Sequence, residues 1–240
     1  MKQASTQYEK KIDARRQLPQ FWLFDLDNTL YPADSDLFLQ IDDRMGSYIS
    51  KILKVDRREA RVLQKSYYMK YGTTLSGLIQ NHGIDADAYL DYVHEIDLSV
   101  IDPSPRLDEL LKNLPGKKYI FTNGSVAHAE NVMARLGISE RFVGIQDIKA
   151  SNYVPKPDPS AYSKIISRFG ILPEMSVMLD DIPQNLLPAA NLGITTVWVK
   201  NPRWDSHVVE PQIDFVTENL ADWLSQIPRA VAELEGRKPA

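Results

Sequence analysis

The feature that most constrains the fold is a repeated one: short apolar runs that end abruptly in polar, turn-forming residues. Phe21 to Phe24 runs straight into Asp25-Leu26-Asp27-Asn28-Thr29. A run of four or five apolar residues bounded by turn formers reads as a strand buried on both faces, the kind found in a parallel sheet. Comparable runs occur at Lys118 to Phe121, Phe142 to Ile145, Val177 to Leu179 and Thr195 to Val199. Helical patterns follow at Ser125 to Leu136, Pro159 to Phe169 and Pro183 to Leu192, the last two opening on proline, which a first helical turn tolerates. Strands alternating with helices predict an α/β fold: a parallel sheet with helices on both faces.

One stretch breaks the alternation. Between Pro32 and the Asp102-Pro103-Ser104-Pro105 punctuation, about 70 residues carry helical periodicity and no convincing strand. Phe38, Ile41, Met45, Tyr48, Ile49 and Ile52 share one face of a helix, and Ala60, Leu63, Tyr67 and Tyr71 share a face of a second. The pattern predicts two units: a core built from residues 1–31 and 102–240, and an all-helical domain, residues 32–101, inserted after the first strand. Two accounts fit the cluster Tyr67, Tyr68 and Tyr71: packing inside a small helical bundle, or a lining for a flat apolar group of a substrate.

Composition narrows the chemistry. The 240 residues include no cysteine, which removes disulfides, thiolate zinc sites, iron–sulfur clusters and cysteine nucleophiles together. His82, His94, His128 and His207 are scattered without metal-ligand spacing and read as ordinary surface or half-buried residues. A net charge of -4 lacks the basic footprint of a nucleic-acid polymer binder. The first twenty residues hold no apolar stretch of signal-peptide length, and no segment approaches the roughly 20 apolar residues of a membrane span. A cytoplasmic location is expected.

Ligands of open parallel sheets bind at the carboxyl ends of the strands. The endings here are Asp25-x-Asp27-x-Thr29, Thr122-Asn123-Gly124, a lysine in Pro155-Lys156-Pro157, and Asp180-Asp181. Asp25 and Asp27 have the same-face spacing of an extended chain, and Asp180 and Asp181 would converge on them if the first and fourth strands are neighbours. Four carboxylates cannot share one crevice as free anions, because like charges at about 4 Å cost on the order of several kcal/mol at intermediate dielectric. Lys156 supplies one positive charge, and an all-oxygen cluster selects a hard cation, most economically Mg²⁺. Cation, lysine, threonine hydroxyl and backbone amides together suit a transferring phosphoryl group, whose charge is spread over three oxygens. Asp25 can then serve as nucleophile through an aspartyl-phosphate, with Asp27 protonating the leaving oxygen and later deprotonating water.

In the order DxDxT, Thr, Lys and acidic pair, across roughly residues 21 to 200, the chain resembles the haloacid dehalogenase (HAD) superfamily, which implies a Rossmann-like core. The insert resembles the superfamily's helical C1 cap. The wording FDLDNTLYP, YGTTLSGL, FTNGS, KPDP and LDDIPQNL is most similar to the branch containing pyrimidine 5'-nucleotidases. The resemblance implies Asp25 as nucleophile, Asp27 as acid/base and, through its carbonyl, a Mg²⁺ ligand. It implies phosphate binding by Thr122, Asn123, Gly124 and Lys156, and metal binding by Asp25 and Asp181, with Asp180 as an additional direct or water-mediated ligand. The substrate implied is a small phosphate monoester such as UMP or CMP. The pattern departs from the common GDxxxD form, with Asp180 in place of Gly and Asn185 in place of the second Asp.

Three rivals frame this reading. A receiver-type phospho-switch uses a similar acidic cluster, but its phosphoacceptor follows the third strand in a domain of about half this length. A dehalogenase lacks the second aspartate, and Asp27 is present. A β-phosphoglucomutase-like enzyme keeps the chemistry but returns the phosphoryl group to a sugar, and no residue excludes it.

Overall fold

In a computed structural model, residues 18–201 and 212–227 are described; His207 and most of the N-terminal tail fall outside them. The first strand, β1 (Phe21–Phe24), is buried along its whole length and lies between β2 (Lys117–Phe121) and β4 (Ser176–Asp180). With β3 (Gly144–Gln146), β5 (Thr195–Val199) and β6 (Phe215–Thr217), these form one sheet in the order β3-β2-β1-β4-β5-β6, parallel throughout.

Period-two alternation sends β1's side chains to two separate cores. Trp22 and Phe24 pack with Leu107 and Leu111 of α5 (Pro105–Asn113) and with Ala129, Val132 and Met133 of α6 (Val126–Leu136). Phe21 and Leu23 pack on the other face with Ala161, Tyr162 and Ile165 of α7 (Pro159–Phe169) and with Leu186 and Ala189 of α8 (Pro183–Asn191). The sheet is therefore covered on both sides, as apolar runs without polar alternation require. A short α9 (Leu220–Leu224) closes the first face with Trp223.

Between β1 and α5 the described chain is helical, apart from turns: α1 (Leu37–Leu53), α2 (Arg57–Tyr71), α3 (Thr74–His82) and α4 (Ala86–Val93). Local signals set these boundaries. Asp56 caps α2 by accepting from the N–H groups of Arg58 and Glu59, Thr73 caps α3 through Ser76, and Asp85 caps α4. Ile41, Tyr48, Ile49, Tyr67, Leu78 and Tyr89 belong to a third core of their own. Ile52, expected on the inner face of α1, is 45% exposed, because the helix's buried stripe ends one turn earlier at Ile49.

The third strand begins at Gly144 rather than Phe142. Phe142 terminates a 3₁₀ turn, its N–H bonded to Ser139 O, and its ring packs edge-on against Phe24. Among the described residues no helix is long and apolar enough to cross a membrane.

Candidate active site

The parallel register brings the carboxyl ends of β1 and β4 side by side, Phe24 opposite Leu179, and Asp25 N–H extends the ladder to Leu179 O at 2.9 Å. Asp25, Asp180 and Asp181 thereby meet with carboxylate oxygens all within 4.8 Å of one another. Lys156, arriving on the loop before α7, is buried among them. Its ammonium donates to Asp25 Oδ1 at 2.8 Å, Asp180 Oδ2 at 2.7 Å and Phe121 O at 2.7 Å. All three of its protons are thus engaged within the protein. Burial alone would lower Lys156, but Asp180 and Asp25 outweigh it and hold the ammonium above its ordinary pKa.

One ammonium does not balance three carboxylates. Burial, with Asp180 and Asp27 nearby and Lys156 partly offsetting them, pushes Asp25 up to about 7. Burial and the charges of Asp25 and Asp180 push Asp181 well above the usual carboxylate range. Asp180 is the better satisfied of the pair: besides Lys156, its Oδ1 accepts from Ile182 N–H and Asn185 Nδ2, both at 2.9 Å. Asn185, the departure from the common acidic pattern, thus supports Asp180. Asp181 Oδ2 accepts from Asn201 Nδ2 at 2.9 Å, and Asp181 O accepts from Trp198 Nε1 at 3.0 Å. A buried all-oxygen cluster short of positive charge fits a hard divalent cation.

Asp27 takes no part in that side-chain cluster. The chain leaves its extended course after Asp25 and turns through Asn28, whose φ is 61°, so the same-face spacing expected of Asp25 and Asp27 is lost. Asp27 Oδ1 instead accepts from Tyr31 OH at 2.6 Å and His128 Nε2 at 2.8 Å. Burial would raise Asp27, but His128 and the Tyr31 hydrogen bond prevail and its pKa lies below the ordinary value. Thr29 Oγ1 donates to Asp25 Oδ2 at 3.1 Å.

The Thr122-Asn123-Gly124 ending divides its tasks. Thr122 Oγ1 accepts from Gly124 N–H at 2.9 Å, which leaves the hydroxyl proton available to a ligand. Asn123 does not turn its amide toward a ligand: Oδ1 accepts from Lys156 N–H at 2.9 Å and Nδ2 donates to Lys156 O at 3.2 Å, clamping the lysine loop. At Gly124 a Cβ would sit 3.2 Å from the His128 ring and 3.3 Å from Thr122 Oγ1.

The three cap tyrosines are not brought together at the site. Tyr67 is buried in the helical insert, hydrogen-bonded to His82 and packed on Tyr71, whose ring also faces Lys70. Tyr68 feels the carboxylates: burial and the charges of Asp181 and Asp180 push its pKa up to about 12. Cavities of about 550 Å³, between Pro19, Pro115 and Met175 at the N-terminal ends of the central strands, and about 470 Å³, beside α1, lie away from the carboxylates.

Sequence reasoning missed Tyr31, His94 and His128. His128 is not an ordinary half-buried residue but a fully enclosed one, bonded to Asp27. Its signal was positional: it lies in the first turn of the helix that follows the Thr122 strand ending, where a side chain faces back across the crevice.

The family model of haloacid dehalogenase-like hydrolases matches residues 22–193. Phosphate metabolism protein 8 of Saccharomyces cerevisiae is 31% identical over 191 residues, covering 72% of this chain but 59% of the yeast protein, so the chain spans a little over half that relative's length. Glyceraldehyde 3-phosphate phosphatase of Pyrococcus furiosus is 22% identical over 231 residues, covering 83% and 92%. In fold, the chain is similar to the magnesium-bound HAD-hydrolase YfnB of Bacillus subtilis, with a TM-score of 0.56 at 15% identity over 89% of this chain and 98% of that one. With the family model spanning both carboxylate-bearing strands and the lysine loop between them, this chain belongs to the haloacid dehalogenase-like hydrolases.

Proposed function

We propose that the chain is a Mg²⁺-dependent phosphatase of small phosphate monoesters, acting through an aspartyl-phosphate on Asp25, with pyrimidine 5'-monophosphates as substrates. The observation that carries this is the separation of two acidic environments: Asp25 crowded with Asp180 and Asp181 around Lys156, and Asp27 tied to Tyr31 and His128. A cation held by Asp25 and Asp181 would keep the Asp25 carboxylate ionised and able to attack, while Asp27, standing apart from that cluster, would carry the proton. The similarity to a yeast phosphate metabolism protein and an archaeal sugar-phosphate phosphatase supports phosphoester chemistry.

Asp25 and Asp181, with the Asp27 carbonyl, would hold Mg²⁺, and Asp180 would support them from behind. The cation would supply positive charge opposite the phosphate oxygens. Lys156 fixes the Asp25 carboxylate through Oδ1 and keeps its charge tolerable in a buried setting. An Asp25 oxygen bonds to phosphorus as the phosphorus–ester bond breaks, and Asp27 gives its proton to the departing oxygen. Water then attacks the phosphorus, Asp27 takes the water's proton, and Asp25 is released with inorganic phosphate. The Thr122 hydroxyl would bind a phosphoryl oxygen, while the Gly124 N–H, spent on Thr122 Oγ1, steadies that hydroxyl.

A phosphate-release assay with Mg²⁺ or with chelator, on a panel of nucleotides and sugar phosphates, tests this reading. Turnover is expected only with the cation, and UMP and CMP are expected to lead in kcat/KM. Equal turnover under chelation rejects the cation, and Asp25→Asn as active as the parent rejects the nucleophile. Sugar phosphates ahead by tenfold, about 1.4 kcal/mol, reject the nucleotide preference alone.

A further inference from the structure

We propose that His128, backed by His94, is a positioning residue that decides which oxygen of Asp27 meets the reacting phosphoryl group. The inference rests on the acid/base reading of Asp27. Tyr31 and His128 both donate to the same oxygen, Oδ1, at 2.6 and 2.8 Å. Among the described residues no hydrogen bond reaches Oδ2, and the Asp27 side chain keeps 16% of its surface exposed. A doubly bonded Oδ1 is anchored, so the proton that travels to and from the substrate is carried by Oδ2.

The anchor is itself held from three sides. His128 sits in the first turn of α6, its side chain 1% exposed and its N–H on Ser125 Oγ at 3.3 Å. His94, the residue ending α4, lies flat on it, with ring centroids 4.2 Å apart and planes at 7°. The Nδ1 of His94 shares a hydrogen bond with the same Ser125 Oγ at 3.1 Å. Gly124 makes the space, since a Cβ there would lie 3.2 Å from the His128 ring and 3.7 Å from His94 Nε2. With one ring stacked on the other, His128 cannot rotate without displacing His94, so the direction of its Nε2–H is fixed. A histidine that merely filled the core would need neither a carboxylate partner at the crevice nor a second ring from another element holding its plane.

The consequence is a dependence on the leaving group. An alkyl oxygen departs only with a proton from Asp27 Oδ2, whereas p-nitrophenolate leaves readily without one. Misplacing Oδ2 therefore slows alkyl esters more than the nitrophenyl ester. His128→Phe keeps the ring against His94 and removes the donor; His128→Gln keeps an N–H at similar reach. The experiment compares kcat/KM for p-nitrophenyl phosphate and for the best alkyl monoester of the panel, with Asp27→Asn alongside and thermal melting of each variant.

His128→Phe is expected to lose on the order of tenfold more on the alkyl ester than on the nitrophenyl ester, and His128→Gln to recover part of that difference. Equal losses on both esters, no loss on either while Asp27→Asn is inactive on the alkyl ester, or His128→Gln no better than His128→Phe would each overturn the proposal and leave the phosphatase reading intact. If Asp27→Asn matches the parent on the alkyl ester, the acid/base reading falls and takes the proposal with it. Should His128→Phe fail to fold, His94→Ala, which removes the stack and leaves the Asp27 hydrogen bond, is expected to shift the ester ratio in the same direction, and an unchanged ratio would count against the proposal.

Discussion

At the scale of single residues, the site is short of positive charge, and that shortfall sets its response to pH. Asp25 has an ordinary pKa of 3.8 in the unfolded chain and about 7 in the folded one. Between those values the folded protein holds a proton that the unfolded chain has lost, so stability falls as pH rises through that window. Asp27, whose pKa is lowered, works in the opposite sense, but its contribution is lost only as pH drops below about 4. Without divalent cation, the melting temperature should decline from pH 5 to pH 8. On the proposed metal site, Mg²⁺ would bind the charged form of the cluster and should raise the melting temperature more at pH 8 than at pH 5. An equal shift at both pH values would show that these carboxylates do not hold the cation. The residues bearing this behaviour were legible because each ends a strand. His128 and the His94 stacked on it were not, because their tie to Asp27 is spatial: His128 lies 101 residues along the chain from it. Tyr31 lies only four residues on, but its bond depends on the turn through Asn28, which no pattern of spacing shows.

At the scale of elements, periodicity read well where a face was wholly apolar and poorly where an element was short. The first two helices of the insert and the buried strands β1, β2, β4 and β5 follow from their patterns; the shorter α3 and α4 were not legible in advance. The three-residue strands do not: β6 takes its place by pairing with β5, and β3 begins two residues late because Phe142 is used as a packing side chain. Gly77 is a further feature that a pattern cannot show. It lets α3 lie directly on Tyr67 of α2, and a Cβ there would fall 2.4 Å from the Tyr67 Cβ. Gly77→Ala should therefore force these two helices apart and cost about 1 to 3 kcal/mol, measured by denaturant unfolding. Unchanged stability would mean that the helices separate freely and that the contact is not tightly packed.

At the scale of the whole molecule, the loop between β3 and α7 is one of the places where core and helical insert meet. Ser76 Oγ donates to Tyr153 O, Lys149 pairs with Asp87, and Gly72 lies against Pro155. This docking aims the second helix of the insert at the crevice and leaves Tyr68, of the three tyrosines, beside Asp180 and Asp181. If Tyr68 recognises a nucleobase by stacking, Tyr68→Ala should remove about 1 to 3 kcal/mol from nucleotide turnover, roughly tenfold or more in kcat/KM, with p-nitrophenyl phosphate much less affected. Equal losses on both substrates would remove Tyr68 from base recognition. That the sheet is parallel and covered by helices was readable in advance; the order of its strands was not, nor was which tyrosine would face the carboxylates, since both depend on how distant segments pair.

The stacking of His94 on His128 also bears on modularity. Superficially the helical insert is a cassette that could be exchanged to change substrates while the sheet kept its chemistry. Yet the ring stacked on the partner of Asp27 is contributed at the insert's exit, so, on the proposed role of Asp27, the cassette's border would run through the proton-transfer apparatus. Recombination that cuts at residues 32 and 101 discards His94 with the cassette, whereas an exchange confined to residues 37–93 leaves it in place. On the proposed roles, specificity and proton transfer would be inherited separately only across the narrower boundary.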